Sequence, residues 1–141
     1  MEIWKDIPGQ EGRYQVSSKG RVRSLDRVAH FAEYATAAGT NKAASTRLLK
    51  GKLLRPGSTK SGHVSVAVGK GNSRLVHQLV LEAFVGPCPA RCEVLHVNHN
   101  PADNRLENLR YGTRSENLRM DYAAGRRATH PNFNRWGRRY A

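Results

Sequence analysis

The sequence predicts an α+β fold, a small β-hairpin or sheet module followed by a strand–loop–strand–helix unit. Three observations predict it. Short apolar–polar alternations flank a Ser-Lys-Gly turn at 18–20, which is the pattern of a hairpin. Leu75, Val76, Leu79, Val80 and Ala83 recur at helical spacing and stop at Gly86-Pro87, so a helix covers about 75–85. From 93 to 125, two short β-type runs enclose a loop rich in Asn, Asp and Pro and lead into a segment with helix-start and helix-stop residues.

Taken in order, the chain opens on Trp4, read as a core anchor rather than a stacking platform, and a Pro8-Gly9 turn. The hairpin runs from 14 to 25. Val22 alternates with Arg21 and Arg23, which leaves one strand face to bury and the other to carry guanidiniums. Residues 29–46 are small, polar and weakly patterned, an insertion or mobile loop in which the one regular element expected is a helical turn at 29–38. Residues 47–60 are basic with paired leucines; a solvated strand or linker and a phosphate-contacting strand both fit. The stretch 62–68 is the clearest strand, ahead of a Gly-rich turn and the helix. The last unit has strands at 93–97 and 109–112, a loop at 98–108, and a helix at 113–125. Thr113 or Ser115 serves as its N-cap, Glu116 lies in its first turn, and Gly125 ends it. Beyond lies a tail in which Arg mixes with Phe133, Trp136 and Tyr140, a composition suited to disorder alone and to settling on nucleic acid.

Charge narrows the partner. Lys and Arg total 24 against 11 acids in 141 residues, a net +13. That balance favours a polyanion, because each neutralised phosphate releases condensed counterions. The charge is uneven: residues 31–75 carry eight basic groups against one acid, whereas 76–120 are neutral. A neutral chemical module flanked by basic gripping segments is the reading. No apolar run has the length of a membrane span, and the first residues lack the basic start and apolar stretch of a secretory signal, so a soluble cytoplasmic protein is expected. Cys88 and Cys92 are too few for a disulfide framework and are read as free thiols.

The run from His96 through Asn98, Asn108, Leu109 and Glu116 to Asn117 resembles the HNH nuclease motif, in the variety found in phage and intron-encoded homing endonucleases. The preceding Val76-His77-Gln78-Leu79 is similar to the helix that introduces the motif. The opening, from Trp4 through Tyr14 to Leu25, resembles the small modular DNA-binding motif that commonly precedes this nuclease. Together the matches cover about half of the chain. The resemblance implies a ββα-metal (His-Me finger) fold over about 94–122. It also implies metal-dependent hydrolysis of a DNA phosphodiester, in a nickase if one site acts once. His96 matches the general base, suited to the task because a neutral imidazole accepts a proton near neutral pH. Asn108 matches the middle Asn, expected to pin the loop and hold the base in its tautomer. Asn117 matches the third position, a metal ligand, and an oxygen donor there suits Mg²⁺ or Mn²⁺.

Two positions depart from the family pattern. The residue before the base is often Asp, the second metal ligand; here it is Leu95, which cannot bind metal. Asn98-His99 stands where many relatives have Asp-Gly, so His99 is a candidate for the missing donor or a solvated loop residue. His77 either approaches the metal or packs the helix. Asp103 and Asn104 are expected to do Asx-turn work, with Arg105 on Glu107 or on phosphate. His63 reads as structural or solvated. Cys88, Cys92, His96 and His99 invite a structural zinc reading, but their spacing is not that of a finger and zinc would consume the base.

These readings give an N-terminal DNA-binding module over 1–60 with its insertion at about 29–46, an HNH nuclease module over 61–125, and a basic tail over 126–141. Arg21, Arg23, Lys50, Lys52, Arg55, Arg105 and Arg114 are the candidate DNA contacts. The expected partner is double-stranded DNA, with no membrane and no small-molecule substrate, bound by a monomer or weak dimer. One divalent ion, Mg²⁺ or Mn²⁺, is the expected cofactor. The rivals are a catalytically weak or inactive phage-type DNA-binding protein, with Leu95 as the reason, and a basic RNA-binding protein, for which no aromatic recognition sheet is visible.

Overall fold

The computed structural model describes residues 1–126; the expected aromatic–arginine tail lies outside the described residues. The described residues form an α+β fold of twelve short strands and two helices, assembled from several small sheets. Strands β1 (Trp4–Asp6), β2 (Tyr14–Ser17) and β3 (Val22–Ser24) form an antiparallel sheet in the order β1-β2-β3, with Val16 opposite Val22. Strand β2 buries Tyr14, Val16 and Ser17, and on β3 Val22 is buried between Arg21 and Arg23, as the alternation there predicted. The turn between β2 and β3 is organised by buried Ser17, whose Oγ accepts from the amides of Lys19 (3.2 Å) and Arg21 (3.0 Å).

The segment expected as a loop with a helical turn at 29–38 is instead a β-ribbon. Strand β4 (Arg27–Phe31) pairs with β7 (Ser45–Leu49), and beyond them β5 (Tyr34–Ala35) pairs with β6 (Asn41–Lys42). The tip closes through the Thr36 amide on the Thr40 carbonyl at 2.8 Å. The physical reason is the lack of an apolar stripe: with nothing to bury at helical spacing, these residues pair their backbones across the ribbon instead. The chain then returns beside β3, where the Leu54 amide donates to the Val22 carbonyl and the Ser24 amide to the Lys52 carbonyl, both at 2.9 Å.

Strands β8 (Gly57–Ser58), β9 (Val64–Ala67) and β10 (Ser73–Leu75) make a second antiparallel sheet, which runs directly into helix α1 (Val76–Phe84). One face of α1 buries Val76, His77, Leu79, Val80 and Leu81. A single hydrophobic cluster joins Ile7, Tyr14, Val16 and Val22 of the first sheet to Val66 and Val68, to α1 and to Leu109. Strands β11 (Cys92–His96) and β12 (Leu109–Thr113) pair antiparallel, placing His96 opposite Leu109, and helix α2 (Arg114–Ala123) follows. Thr113 is the N-cap: its side chain accepts from the Glu116 amide while Glu116 accepts from the Thr113 amide, closing a capping box. Val94, Leu109 and Tyr111 pack on the main cluster. Leu95 points to the other face of β11 and is 1% exposed outside that cluster. Its Cδ1 lies 2.4 Å from where a Cβ on Gly112 would stand, so a side chain there would push Leu95 out of its place.

Candidate active site

His96 ends strand β11, and the loop that follows folds back over it. The loop is irregular yet heavily tied. Asn108, 6% exposed, accepts from the Asn98 amide at 2.9 Å and donates through Nδ2 to Asn98 Oδ1 (2.9 Å) and to the Asp103 carbonyl (2.8 Å). Asn98 Nδ2 donates to Asp103 at 2.8 Å. Arg105 donates through Nε and Nη2 to Asp103, both at 2.8 Å, and through Nη1 to Glu107 at 2.9 Å. These Arg105 hydrogen bonds are the main reason the Asp103 carboxyl falls to about 2.

Sequence reasoning assigned the holding of His96 to Asn108, but the contact is made by Asn104, which is buried. His96 Nε2 donates to Asn104 Oδ1 at 3.0 Å, which leaves Nδ1 with the free lone pair. Burial lowers the His96 pKa below the ordinary imidazole value, while the hydrogen bond to Asn104 opposes that shift. The ring is therefore held neutral and in one tautomer at neutral pH. Asn104 looked like a turn residue, and nothing in the sequence distinguishes an Asn that caps a turn from one that reaches a histidine.

His96 belongs to a cluster of three imidazoles. Its ring centroid is 5.2 Å from that of His77 on α1 and 5.8 Å from that of His63, just before β9; His63 and His77 are 5.1 Å apart. His77 is buried, its Nδ1 has no hydrogen-bond partner among the described residues, and burial, aided by the two neighbouring imidazoles, pushes its pKa down to about 4. His63 donates to or accepts from Ser61 Oγ at 2.8 Å through Nδ1. Its place here was missed, because residues so far apart in sequence meet only through tertiary packing.

A cavity of about 230 Å³ opens beside this cluster, lined by His63, His96, His99, Asn117, Asp121 and Arg126 among others. His99 takes a left-handed backbone conformation (φ 59°), and its Nδ1 lies 3.3 Å from Asp121 Oδ1. Asn117 Nδ2 donates to Glu93 Oε1 at 2.6 Å. An amide oxygen, a carboxylate and an imidazole thus border one space, a donor set that fits a divalent ion of the Mg²⁺ or Mn²⁺ type. The three candidate metal residues are not brought together: His99 and Asn117 share this cavity, whereas His77 lines the adjoining one of about 430 Å³ with Glu93, Cys92 and Asn117.

The candidate DNA contacts divide similarly. Arg21, Arg23 and Lys52 surround a concave surface of about 660 Å³ with Trp4. Trp4 does not join the hydrophobic cluster, so the expected core anchor is instead a half-buried ring that carries the Arg23 guanidinium 4.1 Å from its centre. Arg21 is bound to Glu2, and Lys50 lies 3.5 Å from Asp26. Arg55 and Arg114 are exposed, and Arg105 is held by Asp103 and Glu107 as described.

Comparison with known proteins adds to this geometry. Residues 74–119 match the HNH endonuclease family and residues 2–69 match the NUMOD4 motif. The DNA endonuclease I-HmuI of Bacillus phage SP01 is 30% identical over 125 residues, which cover 86% of this chain and 59% of that protein. A solved structure of the HNH homing endonuclease I-HmuI, described as showing DNA binding and cleavage, aligns with a TM-score of 0.64 at 28% identity. That alignment covers 90% of this chain and 62% of the other. This chain therefore spans about three-fifths of the length of the relative it matches.

Proposed function

We propose, from a chain that carries an HNH endonuclease domain behind a NUMOD4 motif and is homologous to a phage homing endonuclease, that this protein cuts double-stranded DNA by hydrolysing one phosphodiester at a time. The observation that carries the reading is the setting of His96: a neutral imidazole held by Asn104, its Nδ1 lone pair free, beside a cavity bordered by oxygen donors. None of the described helices is long and apolar enough to cross a membrane.

The chemistry follows from the residues. His96 Nδ1 takes a proton from a water as its oxygen forms a bond to phosphorus, in line with the departing 3′ oxygen. The P–O3′ bond breaks, and the 3′ oxygen takes up a proton from solvent, giving a 5′ phosphate and a 3′ hydroxyl. Asn104 keeps the imidazole from rotating and accommodates the imidazolium that forms. Asn108 holds the loop backbone on which His96 and Asn104 depend. Asn117 and His99 would hold one Mg²⁺ or Mn²⁺, which when bound supplies charge stabilisation at the phosphate. Arg21, Arg23 and Lys52 grip the DNA backbone at the concave surface, with Arg55 and Arg114 extending the basic footprint.

One observation favours a second reading, a DNA-binding protein of weak or no catalytic power: Leu95 is buried where the resemblance implies a metal-binding carboxylate. Conversion of supercoiled plasmid by the wild type and by His96→Ala, with Mg²⁺, Mn²⁺ or EDTA, separates the two. Metal-dependent nicking that the variant loses is the expected result. Tight DNA binding without cleavage under any metal would replace the nuclease with the binding protein.

A further inference from the structure

Leu95 leaves the site one carboxylate short. We propose that Asp121 supplies it, so that Asn117, Asp121 and His99 form a three-donor site for one Mg²⁺ or Mn²⁺ ion; this rests on the nuclease reading above. Five features converge. Asn117 and Asp121 are four residues apart on α2, so their side chains leave the same face of the helix. Both line the cavity that His96 borders. His99 Nδ1 and Asp121 Oδ1 are 3.3 Å apart. Donors on neighbouring corners of an octahedron, each about 2.1 Å from the ion, stand about 3 Å from one another, so this pair is already near the separation an ion demands.

The remaining features concern aim. The left-handed backbone of His99 is uncommon for a residue with a side chain. It is fixed from both sides, by its own amide on the His96 carbonyl at 3.0 Å and by Arg126 Nη1 on its carbonyl at 2.5 Å. That conformation turns the imidazole toward α2. Glu93 takes the amide nitrogen of Asn117, which leaves the amide oxygen for an ion. Glu93 is thus a positioning residue, one step removed from the metal.

Mn²⁺ titration of the full chain without DNA, read from the paramagnetic resonance of the free ion, tests the proposal. The wild type is expected to bind one ion, and Asp121→Asn, a change that preserves shape, to bind at least about tenfold more weakly with an unchanged circular dichroism spectrum. An equal Kd overturns the site. So does a wild type that binds no Mn²⁺, since three protein donors need no phosphate to hold an ion. A measurement on the wild type alone covers a variant that fails to fold. Mn²⁺-induced broadening of nuclear resonance signals centred on Asp121 and His99 supports the site, and broadening centred on Glu93 that spares Asp121 overturns it. Plasmid nicking reports separately on the nuclease. Nicking with no binding loss in Asp121→Asn removes the site and keeps the nuclease; Mn²⁺ held by Asp121 without nicking keeps the site and removes the nuclease.

Discussion

The ribbon of β4 to β7 and the loop between β11 and β12 invert the usual expectation about order. The ribbon has regular backbone pairing along its length, yet Val28, Phe31, Tyr34 and Leu48 are all exposed and no residue of it enters the hydrophobic cluster. The loop has only a 3-10 turn at Leu106–Asn108, yet Asn104 and Asn108 are buried and its side chains bind its own backbone. Regularity satisfies peptide groups; it does not by itself tie a segment to the rest of the molecule. The loop is fixed because its buried Asn104 and Asn108 side chains must each find partners, and the arrangement that satisfies them also presents His96.

Several changes would break or sharpen this contrast. The largest effect is expected from His96→Ala, which should slow cutting by roughly 10²–10⁴-fold or more while leaving DNA affinity nearly the same. Parallel loss of affinity and cleavage would deny His96 a chemical role. Next comes Asn108→Ala, which strands the Asn98 amide and the Asp103 carbonyl, both in part-buried contacts. Each orphaned group costs about 1–3 kcal/mol, so urea denaturation should show a clear fall in stability. A loop as loosely tied as the ribbon would show almost none.

Acid should act on both the chemistry and the fold. With His96 as the proposed neutral base and its pKa lowered by burial, the acid limb of the cleavage rate should turn over below pH 6.5. Asn104→Ala removes a contact that raises that pKa, so the limb should move to still lower pH as the rate falls. His77 is neutral in the fold and protonates at about 4, against 6.5 when unfolded. Stability should hold above pH 6.5 and decline as pH falls from 6.5 towards 4, and His77→Gln should flatten that slope in thermal melts. The smallest effect is expected at the ribbon: replacing 33–43 with a two-residue Asn-Gly turn should change unfolding free energy by less than about 1 kcal/mol, because closure costs vary slowly with length. Large destabilisation would show that the ribbon is tied down after all.

The same contrast explains what could be read beforehand. Helix α1, the hairpin of β2 and β3, and the β11–β12–α2 unit were legible because their patterns report burial, or, at Thr113 and Glu116, a local cap. The ribbon was illegible because pattern signals burial and both its faces meet water. In the candidate site, His96 and Asn117 were singled out through resemblance. His63 was passed over because its proximity to His77 and His96 is created by the packing of β9 on α1. Asp121 had a usable signal, its four-residue spacing from Asn117, but an acid on a polar helix is ordinarily solvated.

The turn of the first hairpin has one more implication. A Cβ on Gly20 (φ 80°) would lie 2.8 Å from the backbone oxygen of Asn104, and the Ser18 carbonyl accepts from the Leu106 amide at 2.8 Å. The N-terminal unit is therefore part of the floor under the residue that steadies His96. A chimaera that exchanged this unit, the proposed DNA grip, would inherit a new floor under Asn104 as well. On the expected tolerance of the ribbon, recombination could lengthen or trim it, whereas Ser18 and Gly20 would have to travel with the half that carries His96 and Asn104.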